Sequence, residues 1–186
     1  LLTAAGLGVT ATNAVTLTKA NAVGTVAGTV SAAGQGFSFK DDTTALTVDA
    51  AGGVTGITTN NGTVALTTAT LGDLTLNQNI NAGTGTIGLT SIGTVNQSGG
   101  LLTAAGLGVT ATNAVTLTRN NAVGTVAGTV TAAGQGFSFM KDSKSLTVDS
   151  ARDRTGIRTN NGNVRLTTTR YGGKTNNPNI ADATRT

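Results

Sequence analysis

The 186-residue chain contains no histidine, no cysteine, no glutamate and no tryptophan. Without cysteine there is neither a disulfide nor a thiolate metal site. Without histidine and glutamate, the commonest general acid–base groups are missing, and cysteine's absence removes a common nucleophile. Aromatic residues make up only 3% and charged residues 11% of the chain, and there is a single proline, Pro178. No apolar run approaches the roughly 18 residues that a membrane-spanning helix needs. Low charge beside abundant Thr and Val also argues against disorder, which favours charge and proline.

What is present is small and β-prone. Hydrophobic residues are 38% of the chain, almost all Val, Leu, Ile and Ala, with Phe37, Phe39, Phe137 and Phe139 as the large core candidates. Such side chains fill a thin core more readily than a thick one. Twenty-seven glycines supply many tight turns, and almost nothing blocks strand pairing. The formal charge of +4 is unevenly placed: residues 1–100 carry Lys19 and Lys40 against four Asp, and the basic excess lies after residue 140. It has no interleaved aromatics, so no nucleic-acid partner is expected.

Repetition organises the chain. The stretch LLTAAGLGVTATNAVTLT at 1–18 returns unchanged at 101–118, NAVGTVAGTV at 21–30 returns at 121–130, and AAGQGFSF at 32–39 returns at 132–139. The long period is 100 residues, with 1–100 as a first copy and 101–186 as a partial second copy that diverges after about 140. The chain opens at Leu1 inside this pattern, so it reads as an excerpt of a larger protein.

Within the long period, apolar–small–apolar triplets recur at a spacing close to 20. One series runs Val15/Leu17, Phe37/Phe39, Ile57, Leu74/Leu76, Val95 and Val115/Leu117; another runs Val26, Leu46/Val48, Val64/Leu66, Ile87/Leu89, Leu107/Val109 and Val126. Turn formers separate them, such as Asn60-Asn61-Gly62 and Gly52-Gly53. Period-two alternation places one set of side chains inward. A unit this short buries its apolar face only by stacking on others. The predicted fold is therefore all-β: one continuous right-handed parallel β-helix (β-solenoid) over 1–186, about 20 residues per rung. That gives five rungs per long repeat and about nine in the chain, and it places the second copy a five-rung translation along the axis. Asn13, Asn60, Asn77, Asn79, Asn81 and Asn96 are candidates for stacked amide ladders at the turns. A sandwich array fits less well, because it predicts a core aromatic; helix is excluded by Gly and Thr in every window.

With NAVTLT, NAVGTVAGTVSAAGQGFSF, ALTVDAAGGVTGITTNNGTVALTT and LTLNQNINAGTGTIGLT laid out, the chain resembles the β-solenoid repeats of filamentous-haemagglutinin-like proteins, the large secreted partners of two-partner secretion systems. The similarity covers residues 1–140. It implies an extracellular or outer-membrane-associated rod, exported through an outer-membrane β-barrel transporter, with adhesion or biofilm-matrix roles. Glycans, host or neighbouring cells, or other rods would be its contacts. The resemblance fixes no binding residue. Beyond 140 the chain departs from it: Val54 becomes Arg154, Leu71 becomes Tyr171, Leu74 becomes Lys174, Leu76 becomes Asn176 and Gln78 becomes Pro178. Lys174 and Asn176 fall on the predicted inward face, where an unpaired charge is costly, so the stretch reads either as a frayed or capping end or as residues whose identities do not belong to the pattern.

Candidate chemistry is sparse. Asp41-Asp42 is the only adjacent acidic pair, and Asp41 is replaced by Lys141 in the second copy. Asp49 and Asp149 recur after LTV and read either as a carboxylate or metal-ligand ladder or, preferably, as turn aspartates accepting backbone N–H bonds. Gly83-Thr84-Gly85 does not continue into a phosphate-binding loop, and neither calcium-roll nor EF-hand spacing occurs. Thr16-x-Thr18 and Thr116-x-Thr118 have the residue type of an ice-binding row. Their expected neighbours Ser38/Lys40, Thr75/Asn77 and Ser138/Met140 interrupt it. The expectation is a non-enzymatic rod with no catalytic residue, no cofactor and no metal. The alternatives are a self-assembling matrix filament and, less favoured, a β-helix polysaccharide-degrading enzyme or an ice-binding protein.

Overall fold

In the computed structural model, which describes residues 1–43, 45–70, 72–142, 145–170 and 173–175, the chain is a parallel β-solenoid. Seventeen strands form one sheet that winds around the axis, and no helix occurs among the described residues. Following register partners upward along one wall, Val15 pairs with Phe37, Phe37 with Val64, Val64 with Ile87, Ile87 with Leu107, Leu107 with Val126 and Val126 with Val148. Those six steps give about six coils of about 22 residues each. The expected nine rungs of 20 are thereby corrected.

The opposite wall contains the C-terminal halves of β1 (Thr3–Ala11) and β2 (Val15–Val30). Above them lie Leu46–Val48, Leu74–Leu76, Val95–Gln97, Val115 to Leu117 and Phe137–Lys141. The two apolar series expected from the sequence therefore cross over between Phe37 and Val64. The cause is local. The step from Phe37 to Val64 contains an inserted hairpin, Ala50–Ala51 paired antiparallel with Val54–Thr55, so counting by 20 loses register there.

One consequence reshapes the repeat. Val15 lies on the first wall, four coils below Leu107, and Val115 follows half a coil later on the opposite wall. The 100-residue unit thus spans about four and a half coils, or about 22 Å at ~4.8 Å per coil. The second copy is related to the first by a half-turn screw rather than by the expected pure translation. Two copies occupy nine coils before a motif returns to its own wall.

The core is a single column of aliphatic and phenylalanine side chains. Val15, Phe37, Phe39, Leu46, Val48, Val64, Leu66, Leu74, Leu76, Ile87 and Leu89 are buried as expected. Leu17 is only partly buried, whereas its repeat Leu117 is fully buried; the difference is the coil of strands beneath Leu117. Large side chains meet small ones across the core. A Cβ on Gly28 would overlap the Phe37 ring, and one on Gly128 would overlap Phe137. Phe37 and Phe137 stand on opposite walls, yet each keeps the same glycine partner. The half-turn preserves the packing.

Among the described residues, antiparallel pairing, not expected in a pure solenoid, is confined to three short hairpins: Ala50–Thr55, Ser150–Thr155, and the pairing of 168–170 with 173–175. The last brings the backbone of Lys174 opposite Thr169. Tyr171, Asn176 and Pro178 lie outside the described residues, and so does the side chain of Lys174.

Candidate functional site

Along the first wall, inward residues alternate with outward ones, so direct register stacks the outward side chains into rows. One row climbs Lys40, Thr67, Thr90, Thr110, Thr129 and Arg158. Beside it runs a furrow of small residues, Ser38, Ala65, Gly88, Gly108 and Ala127. The opposite wall carries Thr25, Thr47, Thr75, Asn96, Thr116, Ser138 and Arg165. Thr16 and Ser38 are neighbours as expected, but Thr75 belongs to the other wall. The hydroxyl row of four successive threonines was hidden in the sequence because its spacing of 23, 20 and 19 residues is irregular.

The hairpins act as flaps over these furrows. The 50–55 flap seats against Gly8, where an added Cβ would overlap the Ala51 carbonyl, and Ala27 is fully buried. The 150–155 flap seats likewise on Gly108. Its tip differs in chemistry: Gly52 is replaced by Arg152, which takes a positive φ of 54°, and Val54 by Arg154. Arg152 lies over Gly88, and Arg154 Nε donates to Thr110 Oγ1. Arg152, Asp153 and Arg154 close the upper end of a shallow cleft floored by Ala65, Gly88 and Gly108 and edged by Thr67 and Thr90. Because of the half-turn, the two flaps lie on opposite walls.

The aspartates singled out above hold backbone. Asp41 is fully buried; its Oδ1 accepts the Val23 N–H at 2.8 Å and its Oδ2 the Thr43 N–H at 3.2 Å. Asp42 points outward to Lys40 Nζ at 3.1 Å. Asp49 opens the first flap: Oδ1 accepts the Ala50 N–H and Oδ2 the Asn77 Nδ2, each at 2.8 Å. These bonds, the Asn77 amide foremost, hold its carboxyl below the ordinary aspartate range. Asp149 repeats the turn with the Ser150 N–H at 2.7 Å. The structure therefore supports the turn reading for Asp49 and Asp149. Among the described residues no group of three acidic side chains gathers to hold a metal. Gly83-Thr84-Gly85 has no free cradle, since its three N–H groups donate to Asn81 Oδ1, Asn61 Oδ1 and Ala82 O.

The expected asparagine ladder takes another form. Asn79 accepts the Leu101 N–H at 2.7 Å, Asn60 donates to the Ser31 carbonyl at 3.1 Å, and Asn77 donates to Asp49, so these amides stitch one coil to the next. The amide pair that does stack is internal. Gln97 Nε2 donates to Asn121 Oδ1 at 2.8 Å, and Asn121 Nδ2 donates back to Gln97 Oε1 at 3.1 Å. Asn121 is fully buried and also donates to the Leu117 and Met140 carbonyls. Asn21 repeats it, donating to the Leu17, Lys19 and Lys40 carbonyls. The signal was available: Asn21 and Asn121 keep inward alternation with Val23 and Val123.

No protein-family model matches the chain, and neither the search of curated proteins nor that of solved structures finds a match.

Proposed function

We propose that the chain is a non-enzymatic structural rod from a large bacterial surface adhesin of the filamentous-haemagglutinin-like kind, exported through an outer-membrane β-barrel transporter. One observation carries the reading. The first 39 residues of a 100-residue unit recur nearly unchanged at 101–139, and both copies stack into one solenoid, so repetition adds length and copies wall motifs. Side walls of Thr, Asn and Gly offer individually weak polar contacts, and repetition multiplies them. The Thr67–Thr90 edge with Arg152 and Arg154 is the place where an acidic glycan would be held most firmly. Immunogold electron microscopy of the source cells tests this: label on thin rods outside the envelope supports it, and label confined to the cytoplasm overturns it.

A matrix filament is the second reading, favoured by the low charge, the single proline at 178 and the high β-propensity of the chain. Rods packed side by side in the same micrographs would select it over the stalk. Turnover of a polysaccharide by this segment, lost on Asp49→Asn or Asp149→Asn, would overturn the non-enzymatic reading.

A further inference from the structure

Three of the basic residues that set the second copy apart converge on one wall. Arg152, Arg154 and Arg158 stand where the first copy has Gly52, Val54 and Thr58. Register carries Thr90 to Thr110, Thr110 to Thr129 and Thr129 to Arg158. Arg158 therefore stands on the outer threonine row, three coils or about 14 Å above Thr90. The corresponding row of the first copy climbs Thr10, Thr29 and Thr58 without a charge. The 150–155 flap brings the other two cations to the same row from the side. Arg154 Nε donates to Thr110 Oγ1. A Cβ on Gly88 would overlap the Arg152 guanidinium, so that group lies against bare backbone on the strand face that also carries Thr90.

Opposing charge is slight. Asp153, which replaces Gly53, comes only within 4.0 Å of Arg154 and its side chain is 87% exposed, a pair that contributes little in water. Among the described residues, Arg152 and Arg158 have no hydrogen-bond or ion-pair partner. A guanidinium fork fits the paired oxygens of an anionic group, and the hydroxyls of Thr67, Thr90 and Thr129 both donate and accept, as sugar hydroxyls require. A lone anion would need one cation. Two unpaired cations spaced along the axis, with hydroxyls between them, fit an extended polymer. Bases of a single-stranded nucleic acid would need aromatic platforms, and all four phenylalanines are buried.

We propose that this wall binds an acidic polysaccharide, a carboxylated or sulfated sugar chain lying along the rod axis. One anionic group sits on Arg152, a later one on Arg158, and sugar hydroxyls meet Thr67, Thr90 and Thr129. Arg154 is a positioning residue, holding the flap beside the row through Thr110. The proposal deepens the glycan contact proposed above and rests on it. Microscopy reads where the rod resides and the experiment below reads what its wall binds, so either can fail alone.

The test titrates the full chain with polygalacturonate and with dextran sulfate in a calorimeter, with uncharged dextran and a thymidine oligonucleotide for comparison. Arg152→Gly with Arg158→Thr restores residues that the first copy already accommodates at these positions. This pair should weaken binding of the acidic polymer at least about 10-fold, as the loss of charge-assisted hydrogen bonds does. Arg165→Ala with Lys19→Ala removes the same charge away from this wall and should leave the affinity within about twofold. Preference for polygalacturonate or for dextran sulfate identifies the anionic group, and either supports the proposal. Equal weakening by both pairs overturns it, as does dextran bound as tightly as the acidic polymers or no binding of either acidic polymer. An oligonucleotide bound more tightly than both polysaccharides overturns it too, since the partner is then a nucleic acid.

Discussion

Side-chain volume is matched across this narrow core one residue at a time. Gly28 and Gly128 exist because the rings of Phe37 and Phe137 occupy the space a Cβ would take. Gly128→Ala should therefore destabilise the rod by about 1–3 kcal/mol, as overpacking does, and a lowered urea midpoint checks it. Asp49 offers a second residue-scale test. Its carboxyl is held low chiefly by Asn77, so an NMR titration should place its midpoint below that of an ordinary aspartate, and Asn77→Ala should raise it. A depressed carboxyl contributes stability that is present above the ordinary value and lost as pH falls through the lowered one. Unfolding by acid should thus begin with fraying of the first flap. An Asp49 midpoint unmoved by Asn77→Ala would remove that account.

Strands and coils were legible in the sequence where alternation was strict: each triplet from Val15 to Leu89 lies inward, and the parallel stacking follows from units too short to bury themselves. Flaps were not legible, because Ala50–Thr55 reads as turn residues and the hairpin seats on Gly8, far away in sequence, through Ala51. Coil length consequently was misjudged where the flap is inserted. The outer threonine row stayed hidden because its spacings of 23, 20 and 19 residues are irregular. An element-scale prediction uses this. Val26-Ala27-Gly28 lies directly below Val48 and Ile57, so one residue spans what the eight residues 49–56 now span. Replacing 49–56 by a single Ala should keep the solenoid's circular-dichroism spectrum and expose Ala27; loss of β signal would show that the flap is needed to set register. Lys141 tests the corner. It stands where Asp41 stands in the first copy, and burial lowers its pKa. The unfolded chain then holds its proton to higher pH, so local stability rises as pH climbs from the lowered value to the ordinary lysine value. Lys141→Asp should restore an acceptor for the Val123 N–H and stabilise the upper coils by about 1 kcal/mol, seen as slower exchange at Val123.

At the scale of the whole molecule, four and a half coils per repeat make the rod two-sided. A motif written once per 100 residues faces alternate directions along the axis, and an array of such units offers equal opposite walls at a repeat of about 43 Å, nine coils of ~4.8 Å. An even five-coil repeat would instead line every copy of a motif along one side. The two geometries part most clearly at Lys40 and Thr129. Register places both on the outer row of the first wall, four coils apart, whereas an even 20-residue rung puts them on opposite walls. Spin labels at Lys40→Cys and Thr129→Cys, measured by double electron–electron resonance, should give one narrow distribution centred near ~19 Å, four coil heights. A distribution centred on the order of 10 Å longer, as crossing the sheet-to-sheet core between outward labels requires, would contradict the half-turn solenoid.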